Sequence, residues 1–318
     1  MDAVPVAEGP QAPETPPTTC FRHPRRESYI RCTRCERYIC PDCMRDAPIG
    51  HQCPECVREG QRSVRQARTV FGGRLVSTPV LTYLLIGVNV LVYLLELVRP
   101  WAVERFENLG QGVLGPDGHL YVVEGGVLPP GFHEAGVAHG EWYRLITSAF
   151  MHLPATEGRF GIAHILLNMY SLWLFGRVIE HQLGRTRFLA LYLTAALGGS
   201  VLGYVVAPEQ ASLGASGAIF GLVGAYFLMT RRMHHDPLGG GRQLVGSLLW
   251  LVLSAGYTSW QGHLGGLLAG GALGAALVFA PRTGRAAVQT AGVLVVLAVL
   301  VLLVVGKTSE LSAASPWG

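Results

Sequence analysis

From residue 79 onward the chain is a succession of apolar runs, at 79–98, 161–180, 187–207, 216–231, 243–258, 263–280 and 286–305. Each comes close to, or falls somewhat short of, the roughly 20 residues that a helix needs to cross a bilayer. A chain patterned this way is expected to be an all-α polytopic membrane protein. Composition points the same way: half of the residues are hydrophobic and 14% are charged, against the quarter or so usual in soluble chains. A plain soluble enzyme is a poor fit. No nucleic-acid partner is expected from the net charge of +4, because the arginines lie scattered between the runs and form no basic stripe interleaved with aromatics.

A different kind of sequence precedes the runs. Residues 1–19 are rich in Pro, Thr, Ala and Glu without apolar periodicity, so they cannot offset the entropy of ordering and read as a disordered tail. No secretory signal pattern is visible ahead of the first Cys. Residues 20–57 hold four knuckles: Cys20 with His23, Cys32 with Cys35, Cys40 with Cys43, and Cys53 with Cys56. Eight soft or borderline ligands make two tetrahedral zinc sites with none left over. Only four residues separate the second knuckle from the third, too few to wrap both comfortably around one ion. Alternate pairing is therefore expected, with Cys20, His23, Cys40 and Cys43 on one Zn2+ and Cys32, Cys35, Cys53 and Cys56 on the other. The segment resembles the B-box family of cross-braced zinc fingers, and His51 stands as an alternative ligand to Cys53. A disulfide framework is the competing reading; the seven cysteines are an odd number, and the topology below places them in a reducing compartment. Both metal shells are closed, so the zinc is structural, and the expected role is regulation or binding a cytosolic protein partner.

A basic linker over 58–75 leads to the membrane part, and the loop arginines set its orientation. With the cysteine-rich head inside, the inner loops hold Arg177, Arg185 and Arg187, then Arg231, Arg232 and Arg242, then Arg282 and Arg285. The outer loops around Glu209 and from Tyr257 to Gly262 hold none, whereas the long first loop, 99–161, is mixed. The expected location is the plasma membrane, multi-pass, with the N-terminus cytosolic and the C-terminus external.

A central charge in a bilayer costs on the order of 2.5–3.5 kcal/mol on insertion scales, so polar side chains that persist there are candidates for function. The second run carries His164-Ile-Leu-Leu-Asn168, whose spacing puts both polar residues on one helix face. Gly214-Ala215-Ser216-Gly217 opens the fourth run, and Gly262-His263-Leu264-Gly265-Gly266 the sixth. All three runs enter from the outer face, so the four polar residues can converge. Ser216 would act as nucleophile and His263 as general base, with His164, Asn168 and the Ser216 N–H facing the developing oxyanion. After Glu180 the acids are Glu209, Asp236 and Glu310, none within a helix core, so a Ser–His dyad is expected. Gly217, Gly221 and Ala225, and likewise Gly262, Gly266, Gly270 and Gly274, recur every four residues, a spacing that lets membrane helices approach closely.

Together these motifs resemble the rhomboid family of intramembrane serine proteases over roughly residues 76–281. Gly140-Glu141-Trp142-Tyr143-Arg144-Leu145 adds a match in the first loop, with Tyr143 where a second Trp is usual. The resemblance implies a rhomboid-like six-helix core, with a seventh helix and an external tail appended over 282–318. It implies a serine endopeptidase that cleaves transmembrane segments near the outer face of the lipid bilayer, with single-pass or other transmembrane proteins as substrates and no cofactor for catalysis. Phe220 takes the place of the aromatic that stacks on the catalytic imidazole. The stretch from His152 to His164 is longer than the bacterial pattern.

Plainer readings exist for each residue. Ser216 alone is a common interface residue, His263 a satisfied interior histidine, and Asn168 interhelical glue. His152, His181, His234 and His235 read as interface or loop histidines, Trp142 and Arg144 as anchors of the first loop, and Glu96 and Glu180 as solvated helix ends. Two other function classes compete: a rhomboid-like module that binds membrane helices without cutting them, which intact Ser216 and His263 argue against, and a transporter, which would call for intramembrane carboxylates or matched broken helices.

Overall fold

The computed structural model describes residues 18–63, 67–121, 127–154 and 161–314, and the chain divides into two compact units, 1–66 and 67–318. The tail expected over 1–19 lies outside the described residues as far as residue 17, as do residues 315–318.

The first unit has little regular structure: a strand pair, β1 (Arg45–Asp46) with β2 (His51–Gln52), a 3-10 turn at Pro41–Cys43, and one helix, α1 (Pro54–Ser63). Its interior is made of its own knuckles. Cys20, Cys32, Cys40, Cys43 and Cys53 surround Ile39, and none of the six is more than 1% exposed.

The second unit is mostly helical, with α2 (Val80–Val98), the short α3 (Trp101–Phe106) and α4 (Arg144–Thr147), then α5 (Ile162–Leu183), α6 (Arg185–Val206), α7 (Ser216–Met233), α8 (Gly240–Leu253), α9 (Trp260–Phe279) and α10 (Arg285–Ala314). Every apolar run is thus a helix. Five of them, α2, α5, α6, α9 and α10, are long and apolar enough to cross a membrane. α7 closes on Arg231 and Arg232, and α8 has 14 residues, where the sequence suggested a run continuing to 258. Ser254 ends it: its carbonyl accepts the N–H groups of Tyr257 and Thr258 at 2.8 and 2.9 Å, turning the chain. α10 continues to Ala314, so most of the expected external tail is helix.

α6, α7 and α9 form the centre, packed backbone to backbone. A Cβ on Gly266 would stand 1.9 Å from the Gly217 carbonyl oxygen, and one on Gly270 2.3 Å from Gly221 Cα. On α6, Gly198 and Gly199 complete the seam, pressed against Gly265 and Gly262 of α9. α5 and α8 pack around this centre, α2 packs on α5, and α10 lies along α6 and α9.

The first loop is a layer of its own. β3 (Gly112–Leu114) pairs antiparallel with β4 (Leu120–Tyr121) and β5 (His133–Ala135) in the order β4-β3-β5. Arg144, fully buried, ties it together: Nε donates to Glu141 at 2.7 Å, and Nη1 to the carbonyls of Glu104 and Glu107 at 2.7 and 3.1 Å. Trp142 is 56% exposed and anchors nothing by burial. Nor are Glu96 and Glu180 solvated helix ends, since both are buried and accept backbone N–H groups from other segments.

Candidate active site

Ser216 is the first residue of α7, and His263 lies in the first turn of α9. The Ser259 hydroxyl caps α9 by accepting the Gly262 N–H at 3.2 Å, which fixes where that turn begins. The glycine seam then brings the two helix starts together, and Ser216 Oγ lies 2.9 Å from His263 Nε2. Phe220, one turn along α7, stacks on the imidazole with ring centroids 4.4 Å apart and planes 3° from parallel. Gly214 enters this corner at φ +124°, and a Cβ there would press to 3.0 Å against the His164 ring, so a side chain would be excluded both by backbone strain and by space.

His263 is 5% exposed, and its Nδ1 has no hydrogen-bond partner among the described residues. The loop acid Glu209 instead accepts from Gln111 at 2.9 Å.

His164 is oriented by the chain ahead of it. The Leu153 N–H donates to its Nδ1 at 3.2 Å, which leaves that nitrogen as acceptor and puts the ring proton on Nε2, beside Gly214. Asn168 spends one of its two amide hydrogens on the His164 carbonyl, at 2.9 Å within its own helix. His152, to which the sequence gave no role, is fully buried with its ring 5.2 Å from that of His164. Its backbone N–H donates to the Glu96 carboxylate at 3.1 Å. Glu96 on α2 therefore holds the segment whose next N–H orients His164. No spacing rule exposes such a chain, because its parts come from distant stretches of sequence.

A cavity of about 740 Å³ adjoins these groups, bounded by Ser216, His263, His164 and Asn168 on one side and by Ser247 and Trp250 of α8 on the other.

In the cysteine-rich unit, the ligand atoms of Cys20, His23, Cys40 and Cys43 lie within 4.8 Å of one another, as do those of Cys32, Cys35, Cys53 and Cys56. All seven cysteines are free thiols. A tetrahedron with 2.3 Å Zn–S bonds spaces its sulfurs about 3.8 Å apart, and Cys35 and Cys53 are 3.8 Å apart. Electrostatics favour a cation in both places. Burial opposes ionisation of Cys20 and Cys32, yet backbone N–H donors bring each down to about 6. Burial and then neighbouring thiols push Cys43 up to about 11 and Cys56 to about 12. Four thiolates or a thiolate–imidazole set cannot all take their ligand form until a divalent ion offsets the mutual repulsion, so the donor sets fit zinc. His51 lies outside both groups, with Nδ1 3.3 Å from the Asp46 carboxylate.

The Rhomboid domain family model matches residues 139–280. Rhomboid protease GluP of Bacillus subtilis (strain 168) is 35% identical over 157 residues, 46% of this chain and 28% of its own length. YdcA, a rhomboid relative from the same organism, is 36% identical over 145 residues, 43% of this chain and 68% of its own length. RHOMBOID-like protein 6, mitochondrial, of Arabidopsis thaliana is 34% identical over 157 residues, covering 46% of this chain and 48% of its own length. The match thus spans about a quarter to two thirds of each relative.

Proposed function

The chain belongs to the rhomboid family, and from that premise we propose that it is an intramembrane serine endopeptidase cutting transmembrane segments of other membrane proteins. The observation that carries this reading is the 2.9 Å Ser216–His263 contact beside a cavity among apolar helices.

In this mechanism His263 Nε2 takes the Ser216 hydroxyl proton as Oγ attacks the scissile carbonyl. Nε2–H of His164, the Ser216 backbone N–H and the remaining Asn168 amide hydrogen face the oxyanion. The imidazolium returns its proton to the leaving amine, and water then hydrolyses the acyl-enzyme. With no carboxylate on Nδ1 among the described residues, the stacked Phe220 ring holds the imidazole plane, so two residues make the catalytic unit. Catalysis needs no cofactor.

Loop arginines support a cytosolic N-terminus and an external C-terminus, with cleavage near the outer face of what is proposed to be the plasma membrane. A substrate helix in lipid keeps every carbonyl hydrogen-bonded, so substrates are single-pass or other transmembrane proteins whose helix unwinds easily at Gly, Pro or small residues. Residues 20–57 form a double zinc finger, joined by the linker 58–75 to the protease domain 76–281. Two structural Zn2+ would hold that finger, and its closed metal shells suit it to bind a cytosolic partner or to regulate the enzyme. The test is cleavage of a reconstituted transmembrane substrate with wild-type and Ser216→Ala protein, with the product mapped. Undiminished cleavage by Ser216→Ala, or cutting confined to the cytosolic end, overturns the proposal.

A further inference from the structure

At one end of the helical bundle three arginines converge on a single glycine. Arg68 Nη1 donates to the Gly72 carbonyl at 3.1 Å. A Cβ on Gly72 would stand 3.1 Å from Arg285 Nη1 and 3.7 Å from Arg187 Nη2. Among the described residues none of the three has a carboxylate partner. The nearby Glu180 is engaged with the start of α2 and, at 3.8 Å, with Arg185.

The cluster is also held in place. Arg187 Nε donates to Gln289 Oε1 at 2.7 Å, and Gln289 Nε2 donates in turn to the carbonyls of Phe71 and Leu277 at 3.0 and 2.9 Å. Beside it, a cavity of about 240 Å³ opens between α6, α9 and α10. Thr186, Arg187 and Thr290 line it near the helix starts, beside Ala286 and Leu277 at the end of α9, while Ala190 and Val293 line it one turn farther in. The walls therefore change from cationic and polar to apolar along the direction in which a lipid changes from headgroup to chain.

We propose that this end of the bundle binds an anionic phospholipid, its phosphate held among Arg68, Arg187 and Arg285 and the first part of its acyl chain in the α6–α9–α10 cavity. Three crowded cations without an acid repel one another, and a phosphate relieves that repulsion while its oxygens match the guanidinium fork. The site is separate from Ser216 and independent of the protease reading.

Arginines near helix ends also serve as ordinary topology signals, and the experiment separates the two roles. Full-length protein in detergent is examined by native mass spectrometry with phosphatidylglycerol or phosphatidylcholine. One phosphatidylglycerol should be retained in preference to phosphatidylcholine. Arg68→Gln and Arg285→Gln should each weaken its binding about five-fold, whereas Arg282→Gln, outside the cluster, should leave it unchanged. Equal retention of the two lipids, or equal loss in all three variants, overturns the site. If inorganic phosphate protects against thermal unfolding as well as phosphatidylglycerol does, the ligand is a soluble anion and the lipid assignment falls. The wild-type lipid comparison stands even where a variant fails to fold.

Discussion

The carboxylate of Glu180 accepts both the backbone N–H and the hydroxyl of Thr82, each at 2.8 Å, together with the Leu81 N–H at 3.1 Å. An acid at the end of α5 thereby satisfies donors that the first turn of α2 leaves without intrahelical partners, and its charge favours that helix terminus. Glu180→Leu strands three donors in a buried site. At about 1–3 kcal/mol per stranded donor, it should destabilise the bundle by roughly 3 kcal/mol or more. Glu180→Gln keeps one acceptor and should lie between the two. Equilibrium unfolding in detergent checks the order, and a neutral Glu180→Leu would mean that the cap carries no stability.

Two glycines on α9 should respond oppositely to one methyl group. A Cβ on Gly266 would meet the Gly217 carbonyl oxygen at 1.9 Å, whereas one on Gly271 has nothing within 4 Å. Gly266→Ala must push α7 away from α9, costing about 1–3 kcal/mol as overpacking and opening the Ser216–His263 contact. Gly271→Ala should be neutral or slightly stabilising, since Ala is the better helix former. Probe labelling of Ser216, measured beside thermal stability, should fail only in Gly266→Ala.

Ser216 and His263 hydrogen-bond to each other, and among the described residues His263 Nδ1 has no hydrogen-bond partner, so they should behave as one unit. Each alanine substitution is expected to lower turnover by about 10⁴-fold, and the double variant should be no worse than either single one. His164→Ala should remove one oxyanion donor and lower kcat by about 10²–10³-fold. Asn168→Ala should cost less, because that amide already donates to the His164 carbonyl. Single-turnover kinetics on a model substrate reads these apart, and additive losses in the double variant would count against the dyad.

Glu96 should act through His164. Removing its carboxylate in Glu96→Leu leaves the buried His152 N–H unpaired, at a cost of about 1–3 kcal/mol, and loosens the Leu153 N–H that orients the His164 ring. Glu96→Gln supplies a replacement acceptor and should restore kcat toward wild type. If both variants lose stability without changing kcat, Glu96 is structural only.

The pairing of Ser216 with His263 was legible because its signals are local: each residue opens an apolar run, and the glycines at four-residue spacing say that these runs pack tightly. Seven helices were legible for the same reason. Gly199 and Gly203 share that spacing on α6, but the seam that Gly198 and Gly199 make emerges only when α9 is laid against α6. Glu96 and Glu180 were misread because their partners lie dozens of residues away, so position at a helix end suggested solvent where the fold supplies N–H groups. The first-loop sheet escaped notice because its strands of two and three residues are too short for alternation to register. α8 ends early through Ser254 hydrogen bonds that an apolar run cannot announce.

Zinc pairing offers a test that stoichiometry alone can decide. Alternate pairing puts Cys32 and Cys53 on the same ion, together with Cys35 and Cys56, and leaves Cys20, His23, Cys40 and Cys43 to hold the other. Pairing in sequence order would put Cys32 with Cys20 and Cys53 with Cys40, on different ions. Full-length protein should therefore carry two zinc ions, and the double variant Cys32→Ser/Cys53→Ser should retain one under alternate pairing, because a single site loses both ligands. Sequential pairing damages both sites and leaves none. His51→Ala should retain both ions, since His51 lies outside each group. A chelator that unfolds the cysteine-rich unit should leave probe labelling of Ser216 intact, because metal binding there is folding energy for that unit and no zinc ligand belongs to the catalytic pair. Labelling that disappears with the zinc and returns on adding it back would instead make the metal part of the chemistry.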